Sequence, residues 1–182
     1  MRGFTLIELI VSIAILGVIS SVGIPSLIHI IDNHRSGTSV SQLRKVFSGA
    51  RNLALSNKQK ITVCPQVNNI CTNNWQNPMS VFIDTNNNEK IDAGETLFLT
   101  AANENEQGNW FIRTAATKSI QFNEEGHAFS SATTFLYCPT SGENQYARQL
   151  IISFQGRIRS DYYLSNRGTP YSRLGSFNCP SG

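Results

Sequence analysis

The sequence is short of the residues that catalysis usually needs. It holds three histidines in 182 residues, and none has catalytic company along the chain. His29 falls in an apolar run, His34 adjoins Arg35 just past that run, and His127 has no nucleophile or paired acid beside it. No G-x-S-x-G elbow, Walker loop, HExxH pair or paired-carboxylate pattern occurs, so hydrolase, nucleotide-binding and zinc-protease chemistry have no motif to stand on. CxxC is missing too, and His127 is not in ligand register with the cysteines, which argues against a zinc site. Charge is sparse, at 15% of residues and a net +3. Two further absences are local. No side chain from Leu9 to Ile31 is charged unless His29 takes a proton, and no lysine follows Lys118.

The first of these marks a membrane candidate. Twenty-three residues at the helical rise cover about 35 Å, enough to cross a bilayer. Gly17, Gly23 and Pro25 interrupt the run, and Pro25 is expected to kink or locally melt the helix. Arg2 falls on the cytoplasmic side by the positive-inside rule, which sends everything after Asp32 to the periplasm. Glu8 stands at the head of this run. An acid at mid-bilayer costs about 2.5–3.5 kcal/mol, so Glu8 needs a partner. An ordinary secretory signal would have a longer basic start and a small-residue cleavage site after the apolar stretch.

The second absence belongs to a charge gradient. Residues 1–83 carry seven basic and two acidic side chains, residues 84–143 three and nine, and residues 144–182 five arginines and one acid, Asp161. An acidic middle and an arginine-only end imply two different faces.

Beyond the span, Val40, Leu43, Val46, Phe47, Ala50, Leu53 and Ala54 recur at three- and four-residue steps. That is the stripe of a helix over 40–54 packed on a sheet, with Arg44, Lys45 and Arg51 off the stripe and Ser36-Gly37-Thr38 loosening the join. Short β segments follow: Ile61–Cys64, ending at Pro65, then Met79–Ile83, Thr96–Thr100, Trp110–Thr114, Ser119–Phe122, Thr134–Cys138 and Gln149–Phe154. Ile158–Leu164 returns as a hairpin partner after Gln155-Gly156. Residues 66–78 read as an Asn-rich loop and the tail from Ser165 as loop. The class is α+β: a long N-terminal helix, then small antiparallel sheets. Cys64, Cys71, Cys138 and Cys179 all lie beyond the membrane segment, so an oxidising space makes two disulfides the default. Three connectivities are open, and the sequential one, Cys64–Cys71 with Cys138–Cys179, is favoured.

The start, Met1-Arg2-Gly3-Phe4-Thr5-Leu6-Ile7-Glu8, closely resembles the class III signal of type IV prepilins and pseudopilins. The resemblance implies that a prepilin peptidase cuts after Gly3 and methylates Phe4, leaving residues 1–3 as leader. It implies that Glu8 meets the freed amine of a neighbouring subunit during assembly. Residues 4–31 would be the transmembrane and polymerisation segment, and 32–182 a β-rich head. The chain would wait in the inner membrane, head in the periplasm, before joining other major and minor pilins in a surface filament. The Asp/Asn-rich stretch from Val81-Phe82-Ile83-Asp84 to Gly94-Glu95 resembles a hairpin common in the GspH/FimT group.

Gly156-Arg157-Ile158-Arg159 is the sharpest candidate for function. Glycine permits a positive φ in the turn, and strand alternation then puts Arg157 and Arg159 on one face and Ile158 on the other. Two strand steps separate the arginines by about 6.6 Å, roughly the gap between successive phosphates on one strand. Arginine with interleaved aromatics, here Tyr162, Tyr163, Tyr171 and Phe177, is a nucleic-acid composition. The stretch resembles the DNA-binding tail motif of FimT-type minor pilins, which act in natural transformation. That resemblance ranks Arg157 and Arg159 first as DNA contacts; Arg148, Arg167 and Arg173 follow from charge alone. Two other roles keep the same helix and signal without the arginine pair: a minor pilin that primes pilus assembly, and a type II secretion pseudopilin resembling GspH. No cofactor is implied. Asp84, Asn86, Asn88, Asp92 and Glu95 fall at calcium-loop spacings, but Glu89 stands where the loop's glycine belongs, so an Asn-rich turn is the stronger reading.

Overall fold

The computed structural model describes residues 5–101, 108–113, 118–129, 132–161, 171–172, 175–176 and 179, without the side chains of 22–26, 28, 161, 171–172 and 175–176. One helix, α1, runs from Leu6 to Asn57. Thr5 caps it with a reciprocal box: its side chain accepts from the Glu8 N–H at 3.4 Å, and the Glu8 carboxylate accepts the Thr5 N–H at 3.2 Å. Lys58 closes the helix in a left-handed conformation.

The helix is continuous through Pro25 and through Ser36-Gly37-Thr38, so neither expected interruption breaks it. Proline removes one intrahelical donor, and the remaining turns carry the segment. At the second site the Thr38 hydroxyl donates to the His34 carbonyl at 3.0 Å, a bond made within the helix.

Among the described residues, nine strands form two sheets, one of five strands and one of four. The first sheet runs β2 (Ile70–Cys71), β1 (Ile61–Val67), β3 (Met79–Ile83), β4 (Leu97–Ala101), with β6 (Ile120–Phe122) also pairing β1. The second runs β5 (Gly108–Ile112), β7 (Thr133–Pro139), β8 (Arg148–Ile152), β9 (Ile158–Asp161). Every pairing in both is antiparallel. A two-stranded ladder, β10 (Tyr171–Ser172) with β11 (Gly175–Ser176), interrupts the tail that was expected to be all loop.

The stripe expected on the helix is the one that packs. Val40, Leu43, Phe47, Ala50 and Ala54 are buried against Ile61, Val63, Phe122, Phe135, Leu150 and Ile152, with Val46 and Leu53 half-buried beside them. Burying a side chain of this size contributes about 1.5–3 kcal/mol, so this seam dominates the attachment of α1 to the head. The seam extends further toward the N-terminus than apolar periodicity shows, because Asp32, Ser36 and Ser39 are also buried. Arg51, expected off the stripe, is instead half-buried at its edge, one turn beyond Phe47.

Strand β1 continues past Pro65 to Val67. The Gln66 N–H bonds the Pro78 carbonyl on the β3 side at 2.9 Å, so the missing donor at Pro65 points the other way. On that side the ladder with β6 ends at Val63 and β2 takes over, the Pro65 carbonyl accepting the Thr72 N–H at 2.8 Å. The supposed Asn-rich loop then folds back at once. Asn68 and Asn69 both have positive φ, the two-residue turn that suits twisted hairpins, and place β2 on β1.

Both disulfides form as the sequential pairing requires: Cys64 to Cys71, closing the β1–β2 hairpin, and Cys138 to Cys179, with Cα separations of 5.5 and 5.7 Å. The second spans 41 residues and contributes about 4 kcal/mol in the chain-entropy account.

Candidate nucleic-acid interface

Strand β9 is an edge strand, paired with β8 alone among the described strands of its sheet. Its alternation turns Ile158 inward to the helix-packed core and leaves Arg157 and Arg159 exposed. The register fixes which face they occupy. Arg159 lies opposite Ile151, and Ile151 opposite Thr134, on the face of the sheet away from α1. Leu136 and Cys138 are on that same face, in a small cluster with Phe111, Ala147 and Cys179. The second disulfide therefore fastens the C-terminal segment to the face that carries the two arginines. Among the described residues neither guanidinium has a hydrogen bond or an ion pair.

The turn before Arg157 is fully tied down. Gly156 has φ +70°, its N–H donates to the Ser153 carbonyl at 2.8 Å, and the Ser153 N–H donates to the Arg157 carbonyl at 2.9 Å. The Ser153 hydroxyl accepts the Arg157 N–H at 3.1 Å. Three loop residues ending in a left-handed glycine make a standard hairpin closure. Glycine is needed here twice over, since a Cβ on Gly156 would stand 1.8 Å from the Gly126 carbonyl oxygen.

Gly126 ends a second turn of the same design. The Asn123 N–H donates to the His127 carbonyl at 3.0 Å, the Gly126 N–H donates to the Asn123 carbonyl at 2.8 Å, and Gly126 has φ +73°. Arg51 joins the two turns to the helix. Its Nε donates to the Gly126 carbonyl at 2.9 Å and its Nη2 reaches the Gln155 carbonyl at 3.5 Å. The Ala128 N–H adds a bond to the Phe154 carbonyl at 3.0 Å. One helix arginine thus pins the tip of the first sheet to the tip of the second. Sequence reasoning missed Arg51 and Gly126; the paired E-G-H and Q-G-R turns were the only signal.

Arg148 is not with the pair. The same two-residue period that exposes Arg159 puts Arg148 with Leu150 and Ile152 on the helix-facing side, opposite Tyr137. Its guanidinium bonds the Asn33 side chain and the Ala147 carbonyl, the latter at 3.0 Å. Beside it the Tyr146 hydroxyl meets His29 Nδ1 at 2.7 Å, and His29 lies 3.9 Å from Glu143. Burial together with Glu143 and Asp32 pushes the Tyr146 hydroxyl pKa up. The Asn144–Tyr146 turn is fixed from the other direction by the Cys179 N–H on the Asn144 side chain, at 2.6 Å. Arg148 and His29 are parts of a clasp between head and helix. Arg167 and Arg173 lie outside the described residues, as do Gly3, Phe4, Tyr162, Tyr163 and Phe177.

The Asp84–Glu95 loop uses its own acceptors. Asp84 is buried and takes the Asn88 and Glu89 N–H groups at 3.1 Å each. Glu95 takes the Thr85 and Asp92 N–H groups at 2.8 and 3.1 Å. Asp92 accepts from the side chains of Asn86 and Asn88, which hold its carboxyl below the usual range. Among the described residues no three acidic, histidine or cysteine side chains gather as a metal site.

A long N-terminal helix laid across two antiparallel sheets defines the type IV pilin fold. Solved structures share it. The type IV minor pilin FimU of Pseudomonas aeruginosa matches with a TM-score of 0.53 at 17% identity, over 70% of this chain and 89% of that one. The minor pseudopilin EpsH from the type 2 secretion system of Vibrio cholerae matches with a TM-score of 0.51 at 10% identity, over 69% of this chain and 95% of that one. No curated protein matches. The model of the type II transport protein GspH matches residues 39–156, and the prokaryotic N-terminal methylation motif matches residues 1–24. The chain belongs to the GspH family of pilins and pseudopilins.

Proposed function

We propose that this chain is a minor type IV pilin whose head binds extracellular DNA without sequence preference, for uptake in natural transformation. The observation that carries the reading is the placement of Arg157 and Arg159: exposed, on one face of an edge strand, behind a turn that Arg51 and two glycines hold rigid. Arginines held this way lose little freedom on meeting phosphate, and phosphate contacts carry no base code. The disulfide-tethered tail, with Arg167 and Arg173, attaches to the same face through Cys179. Arg148 serves the head–helix clasp instead.

The N-terminal motif supports cleavage after Gly3, methylation of Phe4 and filament entry through Glu8. Among the described residues no helix is long and apolar enough to cross a membrane. The membrane reading therefore rests on the uncharged run from Leu9 to Ile31 and on the motif. The described large apolar side chains between Leu6 and Ile31 stand 41–76% exposed, a surface suited first to lipid and then to neighbouring pilins. Because the head grips His29 and Asn33, the span in this reading ends before His29.

The test is a DNA titration of the full-length protein in detergent at several salt concentrations. With three or four phosphates neutralised, affinity falls about 40- to 150-fold between 50 and 200 mM salt. A flat salt response defeats the reading. The match to the GspH model and the likeness to EpsH favour a second reading, a type II secretion pseudopilin. A deletion strain that loses secretion while keeping DNA uptake would select it. A role in priming pilus assembly is compatible with either.

A further inference from the structure

We propose that Phe154 is a stacking platform for an unpaired base, so that the head takes single-stranded DNA in preference to duplex; this deepens the DNA reading above and rests on it. Phe154 is the first loop residue of the turn that ends at Arg157, and its side chain is 58% exposed. Solitary exposed apolar residues are ordinary on protein surfaces. This one differs in its support and its neighbours. Its carbonyl accepts the Ala128 N–H, the next carbonyl accepts Arg51, and Gly156 is buried against Gly126. An aromatic ring is thus presented outward on a backbone fixed before any ligand arrives. Three residues on, in the same turn, begins the exposed Arg157 and Arg159 pair.

A ring beside backbone-tracking cations is the arrangement that holds single strands, because every unpaired base has a face to stack. Duplex DNA offers no such face along its length. A contrast inside the molecule supports the assignment. Phe129, 70% exposed, is the other outward phenylalanine near this tip. It lines an open depression of about 780 Å³ where three acids, Glu89, Glu124 and Glu125, outnumber the one cation, Lys60, a balance that disfavours phosphate. Phe154 instead stands in the turn that leads directly into the exposed Arg157 and Arg159.

The experiment measures binding of the full-length protein in detergent to an oligothymidylate and to a duplex of equal length. The wild type, Phe154→Ala, Phe154→Trp and Phe154→Leu are compared across a salt series. Phe154→Ala is expected to weaken single-strand binding about 5- to 150-fold, with the salt slope unchanged and duplex binding within about twofold. Phe154→Trp should retain single-strand affinity and Phe154→Leu should not. Unaltered single-strand binding by Phe154→Ala, equal losses on both substrates, or full affinity in Phe154→Leu would each overturn the platform while leaving the phosphate contacts standing. A wild type that binds neither substrate overturns the DNA reading itself, and this one with it.

Discussion

The two turns at the tip of the head have the same backbone and opposite chemistry. Asn123–His127 and Ser153–Arg157 each close three loop residues with a left-handed glycine, and Arg51 donates to a carbonyl in both. One turn displays Glu124 and Glu125. The other displays Phe154 and leads into Arg157. The shared parts, glycine and clamp, are what the packing of two sheet tips demands. The differing parts are free of that demand, and there the chain carries its charge. Structure and proposed function therefore separate residue by residue within the two turns, and substitutions should separate them too.

The largest expected effect comes from the glycines. Gly156→Ala should cost about 3–5 kcal/mol, since left-handed strain adds to a backbone clash that no rotamer relieves. Gly126→Ala faces contacts of 3.1 Å to the Arg51 and Leu55 side chains, which can yield, so about 2–3 kcal/mol is expected. Gly142 also has positive φ but open space around its missing Cβ, and Gly142→Ala should cost only about 1–2 kcal/mol. Chemical denaturation of the three variants gives the ranking. Equal losses would show that conformation alone, and not the contact between turns, makes the glycine necessary.

Arg51→Met comes next. It keeps the apolar stem and removes the donors, so about 2 kcal/mol should be lost. Amide hydrogen exchange should speed up in both turns together. Faster exchange in one turn only would mean that Arg51 does not couple the two sheets.

The smallest effect is a pH response in the acidic half. The folded pKa of Asp92 is lowered by Asn86 and Asn88. Its contribution is therefore present above the unfolded carboxylate value of about 3.9 and is lost as pH falls through the lower folded value. Acidification below about pH 4 should release the Asn86 and Asn88 side-chain amides while the Ser153–Arg157 turn stays unchanged. Those amide signals report it by NMR. An identical acid response in Asp92→Asn would remove Asp92 as the cause.

Much of the fold was legible because apolar burial leaves a period. The helix stripe from Val40 to Ala54 and the strand Met79–Ile83 stand where their patterns put them. Polar burial leaves no such trace, so Asp32, Ser36 and Ser39 were invisible as seam residues. Local rules misled where neighbours decided the outcome. Pro65 reads as a strand end, yet its missing donor points away from β3, and its carbonyl still accepts the Thr72 N–H on the other side. Asn68-Asn69 read as loop, although two residues tolerant of positive φ are also a hairpin signal. For the candidate interface, strand alternation was enough to align Arg157 with Arg159. It was not enough to place Arg148, whose face depends on the register of a different strand. Arg51 lay beyond reach because its partners, Gly126 and Gln155, are 75 and 104 residues away.

The most direct test sets the two turns against each other in one DNA titration over a salt series. Arg157→Gln with Arg159→Gln should lower affinity and reduce the salt slope by about 2, one unit per lost phosphate contact. Glu124→Gln with Glu125→Gln should leave the slope unchanged. A double arginine variant that keeps the wild-type slope, or acidic-turn substitutions that lower it equally, would contradict the account.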